Sequence, residues 1–286
     1  MSTRKLPYPA EPTTLLPHLI AVLKETKRTR VKEILRAGLV HVEGESVTRH
    51  DHPVEPGQLI EIRDERLPPA RVLPFTVLYE DATILAINKP CGLLTIATAT
   101  EKSKTVYSIV NQALASTRER AFVVHRLDRF TSGVLLLAKS EEAKIQIMGN
   151  WEEAHKTYHA VVEGTPKPAT KKLIHHLRED ERLVVHAMDG PTKNSQRAVL
   201  TYKVISSNRE HALLEIDLDT GKKNQIRAQL SAIGHPIAGD PKYGAKTDPI
   251  KRLALHASTL SIPHPLTKER LSFEAPMPLE MKIGRA

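Results

Sequence analysis

The chain has 286 residues, 40% hydrophobic and 26% charged, which allows a sizeable core and fits an ordinary globular protein. No run approaches the roughly 20 apolar residues of a membrane helix, and the N-terminus carries no apolar signal-peptide core, so a cytoplasmic protein without a membrane partner is expected. One cysteine, Cys91, excludes an intramolecular disulfide and a cysteine zinc site, while a net charge of +9 favours a polyanionic partner, because neutralising phosphates releases counterions.

Residues 1–12 are polar and proline-bearing and are expected to form a loose arm. The apolar run 15–23 and the segment 28–38 read as helices. In the second, Val31, Ile34 and Leu35 share a face, and Gly38 stands where a glycine stops a helix. Residues 39–42, the turn 43–45 and residues 46–48 read as a short hairpin, and 58–63 as another strand. Lys27, Arg28, Arg30, Lys32 and Arg36 lie on or beside the second helix, opposed by Glu25 and Glu33. Charge alone would make this a solvated face. A basic helix entering a hairpin, over residues 13–63, nevertheless resembles the alpha-L motif, an RNA-binding module first met in a small-subunit ribosomal protein. The resemblance implies that these five cations lie along a folded RNA backbone.

Residues 64–74 read as a linker, since Pro68, Pro69 and Pro74 sustain neither a helix nor a central strand. Residues 75–286 read as one domain. Strands are expected at 76–80 and 83–89, a helix at 105–114, and β-rich runs at 122–125 and 133–139. Ser140 is placed to cap a helix over 140–154, with Glu141 and Glu142 in its first turn. Further strands are expected at 156–164, 198–205 and 212–219. Strands and helices do not alternate regularly. The expected fold is therefore α+β: a mixed, largely antiparallel sheet with flanking helices, beside a small N-terminal α/β module.

The segment HRLDRFTSG (125–133) joins two β-rich runs, so Asp128 should sit on a short loop at a strand end, between Arg126 and Arg129. An aspartate there can be a nucleophile, a base, a metal ligand or a turn cap acting through Thr131 or Ser132, and the local chemistry leaves these open. Within KKNQIRAQLSAIG (222–234), Ile226, Leu230 and Ile233 form an apolar stripe with Arg227 at its edge. The 14 histidines suggest no metal site. His175 and His176 are neighbours and would point to opposite faces of a strand, no HExxH spacing occurs, and the histidines are expected to be polar RNA-facing or surface residues.

HRLD followed by TSG matches the signature of the RluA-type pseudouridine synthases. The segments EDATILAINKPCGLL (80–94), KTYHAVVEG (156–164), TGKKNQIRAQLSAIGHPIAGDPKYG (220–244) and LALHA (253–257) are similar to that family's other motifs, in order. The resemblance implies an RNA uridine isomerase that needs no cofactor or metal. It makes Asp128 the nucleophile and has Arg126 insert beside the flipped nucleotide. Tyr158 would pack against the uracil and help remove the carbon-five proton. Arg227 would hold Asp128 through a bidentate pair, and Leu255 would give apolar contact. The family reads TGR-x-HQIR, whereas Lys222 and Asn224 stand here, which puts RNA contacts and substrate choice in doubt. The expected partner is ribosomal RNA, with transfer RNA the alternative, and the expected state is a monomer. The rivals are a catalytically silent RNA-binding or ribosome-assembly protein and an aspartate-dependent hydrolase.

Overall fold

The computed structural model describes residues 3–24, 26–36, 38–63, 73–98, 101–115 and 119–283. The chain divides into two units, Met1–Ala70 and Arg71–Ala286. In the first unit the elements run β1 (Thr3–Leu6), β2 (Thr13–Thr14), α1 (Leu15–Val22), α2 (Arg28–Arg36), β3 (Val40–Val42), β4 (Glu45–Ser46), β5 (Pro53–Val54) and β6 (Ile60–Arg63). Four strands form a sheet in the order β1-β6-β3-β4, and β2 pairs with β5.

The expected loose arm is in part a strand. Thr3 to Leu6 pair antiparallel with Arg63 to Ile60, so β6 has partners on both sides. A bare sheet edge would leave backbone donors and acceptors unpaired, and Leu6, 4% exposed, adds apolar burial. Glu43 and Gly44, with φ of 51° and 86°, make a two-residue hairpin turn, so the second strand starts at Glu45. Helix α2 buries Val31 and Leu35 against Leu15 and Leu19 of α1 and exposes Lys27, Arg28, Arg30, Lys32 and Arg36 around its other side. Of the expected linker, residues 64–72 lie outside the described residues.

The second unit continues with β7 (Val77–Glu80), β8 (Ile84–Lys89), α3 (Val106–Leu114), β9 (Phe122–Val123), β10 (Ser132–Ala138), α4 (Glu141–Gly149), β11 (His155–Glu163), β12 (Thr170–Glu179), β13 (Val185–Met188), β14 (Gln196–Ser207), β15 (His211–Leu218), α5 (Gln225–Ala232), β16 (Leu255–Pro263) and β17 (Arg270–Glu274). Its sheet has the order β13-β12-β14-β15-β11-β16-β10-β8-β7, with β17 on β16 and β9 on β10. Among the described strands only β10 and β16 run parallel, so the sheet is mixed and largely antiparallel. The helix expected over 140–154 ends at Gly149 and is followed by a 3-10 turn at Trp151–Glu153. Ser140 caps it as expected, accepting the Ala143 amide at 3.1 Å.

Strand β10 shows why the sheet holds its centre here. All seven of its residues are buried, since helices cover both faces. Val134, Leu136 and Ala138 pack with Ala143 and Ile147 of α4. Leu135 and Leu137 pack with Val106, Val110 and Leu114 of α3. Each large side chain taken out of water in this way contributes roughly 1.5–3 kcal/mol. The strand therefore gives a rigid mount for the loop before it, which carries Asp128.

Candidate active site

The Asp128 loop is clasped by the segment that follows β8. Lys89, fully buried, donates its ammonium hydrogens to the carbonyls of Pro90 (2.9 Å), Leu93 (2.8 Å) and Arg129 (3.3 Å). Burial pushes its pKa down to about 8, against the opposing charge of Asp128. The Gly92 amide also donates to the Arg129 carbonyl, at 2.8 Å, and Arg129 Nε donates back to the Gly92 carbonyl at 3.1 Å. Thr95 Oγ1 donates to the Leu127 carbonyl and accepts the Leu127 amide. The Thr131 amide donates to the Asp128 carbonyl at 3.1 Å, so backbone, not the Asp128 carboxylate, closes the turn. That leaves the carboxylate, whose side chain is 42% exposed, facing outward.

Arg227 reaches it from α5. Asn224 precedes this helix with φ of 51°, a left-handed conformation that asparagine tolerates well. Gln225, 2% exposed, fixes the approach by accepting from Thr220 Oγ1 (2.8 Å) and the Lys222 amide (3.0 Å) while donating to the Val199 carbonyl (3.0 Å). The expected bidentate pair between Arg227 and Asp128 is not formed. Nε and Nη2 of Arg227 instead donate to the two oxygens of buried Asp240, at 2.6 and 2.8 Å. Nη1 spans Asn224 Oδ1 at 3.1 Å and Asp128 Oδ2 at 3.4 Å. The shorter bonds and deeper burial make Asp240 the main partner. Burial opposes the Arg227 charge, but the hydrogen bonds and charge of Asp240, then the charges of Asp128 and Tyr243, outweigh it and raise the pKa. The guanidinium also lies 4.8 Å from the centre of the Tyr243 ring.

A cavity of about 410 Å³ brings the sequence candidates together, since Asp128, Arg126, Tyr158, Arg227 and Leu255 all line it. Tyr158 comes from β11, opposite Ala257 of β16 and Ile216 of β15. Burial, then the charge of Asp128, push its phenol above the usual tyrosine range. It therefore stays neutral, and taking up a carbon-five proton would require it first to lose its own. Leu255 is 4% exposed and Arg126 is exposed at the rim. Lys222 and Lys223 also line the cavity, and Lys223 pairs with Glu179. The five cations on or beside α2 belong to the other unit.

Lys156 and Trp151 are among the lining residues that were not foreseen. Lys156 lies two residues before Tyr158 on the same strand face, a period-two relation that could have marked it. Its ammonium is 5.6 Å from the centre of the Trp151 ring, and burial lowers its pKa against the opposing charge of Asp219. Trp151 also packs on His125, with ring centres 5.0 Å apart.

Several histidines depart from the expectation of RNA-facing or surface positions, whereas His50, His155 and His186 are exposed. His125 accepts the Leu136 amide at Nε2, 3.0 Å, so it splices the loop to β10. Burial and then the Lys156 charge lower its pKa to about 3, which keeps it neutral with its proton on Nδ1. His175 is buried against Gln229, and His256 accepts from Ser132 Oγ while donating to the Ala275 carbonyl. His175 and His176 do sit on one strand, β12, with His175 buried and His176 half-buried. Among the described residues, no group of three or more His, Cys, Asp or Glu is placed to hold a metal ion, and no helix is long and apolar enough to cross a membrane.

A family model described as RNA pseudouridylate synthase matches residues 83–232. "Ribosomal large subunit pseudouridine synthase D" of Vibrio cholerae is 33% identical over 279 residues, covering 89% of this chain and 84% of the relative. The protein of the same name from Pasteurella multocida is 31% identical over 288 residues, covering 92% and 87%. Among solved structures, "Human RNA Pseudouridylate Synthase Domain Containing 4" superposes with a TM-score of 0.59 at 26% identity, over 72% of this chain and 89% of that one. The family model spans just over half of the chain, the relatives span most of it, and the sheet agrees with the solved fold. The chain accordingly belongs to the RNA pseudouridylate synthase family, as an RluA-type isomerase that converts uridine to pseudouridine in RNA.

Proposed function

We propose that this chain isomerises uridines of large-subunit ribosomal RNA, with Asp128 as the nucleophile. The observation that carries the reading is the cavity itself. A loop, a strand and a helix deliver Asp128, Tyr158 and Arg227 to one hollow, with Leu255 and Ile226 as apolar floor. In the reaction the bond from N1 to the ribose C1′ breaks, the base turns, and C5 bonds to C1′. The C5 hydrogen leaves and N1 gains one, so the formula is unchanged.

The base must leave the RNA stack, at a cost of a few kcal/mol. Arg126, exposed at the rim, fills the vacated space, and the neutral Tyr158 ring stacks on the uracil. The Asp128 carboxylate forms a transient bond to the uridine that is broken again once C5 has joined C1′, while Arg227, clamped by Asp240, offers Nη1 to its charge. A guanidinium held by a second carboxylate cannot swing away, so Asp128 meets a fixed donor. The name carried by both bacterial relatives and the net charge of +9 support ribosomal RNA as the target. The basic helix α2, in a unit resembling the alpha-L module, supports a separate grip on that RNA.

The test uses RNA tritiated at carbon five of uridine. Asp128→Ala is expected to abolish tritium release while retaining RNA binding. Full release by that variant overturns the mechanism. Release from transfer RNA but none from large-subunit transcripts overturns the target and leaves the nucleophile standing.

A further inference from the structure

Of the four phenylalanines, Phe130 alone is exposed, at 51%, whereas Phe75 and Phe122 are half-buried and Phe273 is 3% exposed. The ring is not on a loose tip. Its carbonyl accepts the Cys91 thiol at 3.1 Å, and the carbonyl before it accepts from Lys89 and Gly92. A braced backbone thus holds an aromatic ring in water, two residues from Asp128. Singly exposed apolar side chains are common, so its surroundings decide the matter.

Phe130 lines a second cavity, of about 600 Å³, which shares Asp128, Asn224 and Arg227 with the first. The Asp128–Arg227 contact is therefore a wall between two hollows. The Arg129 guanidinium lies 5.5 Å from the centre of the Phe130 ring. The other cations of this cavity are largely committed: Lys242 to the Leu183 carbonyl at 2.7 Å, and Arg252 to Glu280 at 3.3 Å. Asp240 is committed to Arg227. A hollow with an exposed aromatic ring, whose Arg227, Asp240 and Lys242 already have partners, suits a flat group that stacks.

We propose that this second cavity takes the nucleobase adjacent to the target uridine, stacked on Phe130, so that two consecutive nucleotides straddle the Asp128–Arg227 wall. The inference rests on the reading of the first cavity as the uridine site. Flipping one base strips its neighbour of a stacking partner, and an aromatic side chain replaces it regardless of which base stands there. Arg129 supplies positive charge beside that ring.

The full chain carrying Phe130→Ala, Phe130→Leu or Phe130→Trp is assayed for tritium release on uridine-labelled total RNA from cells lacking this protein, under conditions that separate kcat from KM. Phe130→Ala is expected to raise KM about five- to fifty-fold, as loss of one base-stacking contact does, with a smaller change in kcat. Phe130→Trp is expected to restore KM, and Phe130→Leu is expected not to. Unchanged KM in all three overturns the proposal. Restoration by leucine as good as by tryptophan overturns it in favour of plain apolar contact, and a loss confined to kcat overturns it in favour of loop positioning. Failure of the uridine-site reading appears separately, as full release by Asp128→Ala.

Discussion

Arg227 divides one guanidinium between two carboxylates, and their geometry ranks them. Asp240 takes two hydrogen bonds, at 2.6 and 2.8 Å, and is 2% exposed. Asp128 takes one, at 3.4 Å, and faces the cavity. Asp240→Ala would leave a largely buried guanidinium without its main partner, which costs about 3–5 kcal/mol. The expected outcome is an unfolding free energy lowered by that amount, read as a lower urea midpoint with the slope unchanged, together with a fall in kcat for tritium release. A variant within about 1 kcal/mol of wild type would show that Asn224 and Asp128 suffice to hold Arg227. At this scale the motif residues were legible: Asp128, Tyr158, Arg227, Arg126 and Leu255 all reach one cavity. Asp240 was not, because its bond joins positions 13 apart that no helix or strand period relates. The buried histidines were hidden for a similar reason. A histidine reads as polar, and only tertiary packing reveals that His175 meets Gln229 and His256 meets Ser132.

The glycine of the TSG motif shows how one element fixes another. Gly133 has φ of 114°, and a Cβ built there would lie 2.1 Å from the Ala257 carbonyl oxygen. At this point β10 meets β16 in parallel, with Gly133 opposite Ala257. The obstacle is backbone, so it cannot rotate away as a side chain could, and the left-handed backbone adds its own strain. Gly133→Ala is expected to destabilise the second unit by more than about 4 kcal/mol, or to prevent its folding, as read by circular dichroism and urea unfolding. Near-native stability would mean that β10 and β16 can separate without loss. The run 133–139 was legible as a strand from its apolar residues, but its parallel partner was not, since over a hundred positions separate the two. Strand β12 was missed for a local reason: its buried residues Leu173, His175 and Leu177 alternate, but the histidine breaks the apolar pattern.

Across the whole molecule the net charge of +9 divides unequally, +1 in residues 1–70 and +8 in residues 71–286, so the basic face of the first unit calls for its own test. The strand at residues 3–6 was illegible because TRKL offers a single large apolar side chain. In the first unit, Lys27, Arg28, Arg30, Lys32 and Arg36 are exposed on or beside α2, while Val31 and Leu35 anchor the other face. If these cations neutralise phosphates, each contact releases counterions, and affinity must fall steeply with salt. Replacing all five by glutamine in the full chain keeps the buried face of α2, so the helix should persist. Filter binding to a large-subunit RNA transcript, measured across a series of potassium chloride concentrations, is expected to give weaker binding. Its log–log salt slope should be shallower by about three to five units, close to one per lost phosphate contact. Tritium release at saturating RNA should survive, because the Asp128 cavity is lined entirely by residues of the second unit. An unchanged slope would mean that α2 presents its charges to solvent, leaving the second unit to grip the RNA alone.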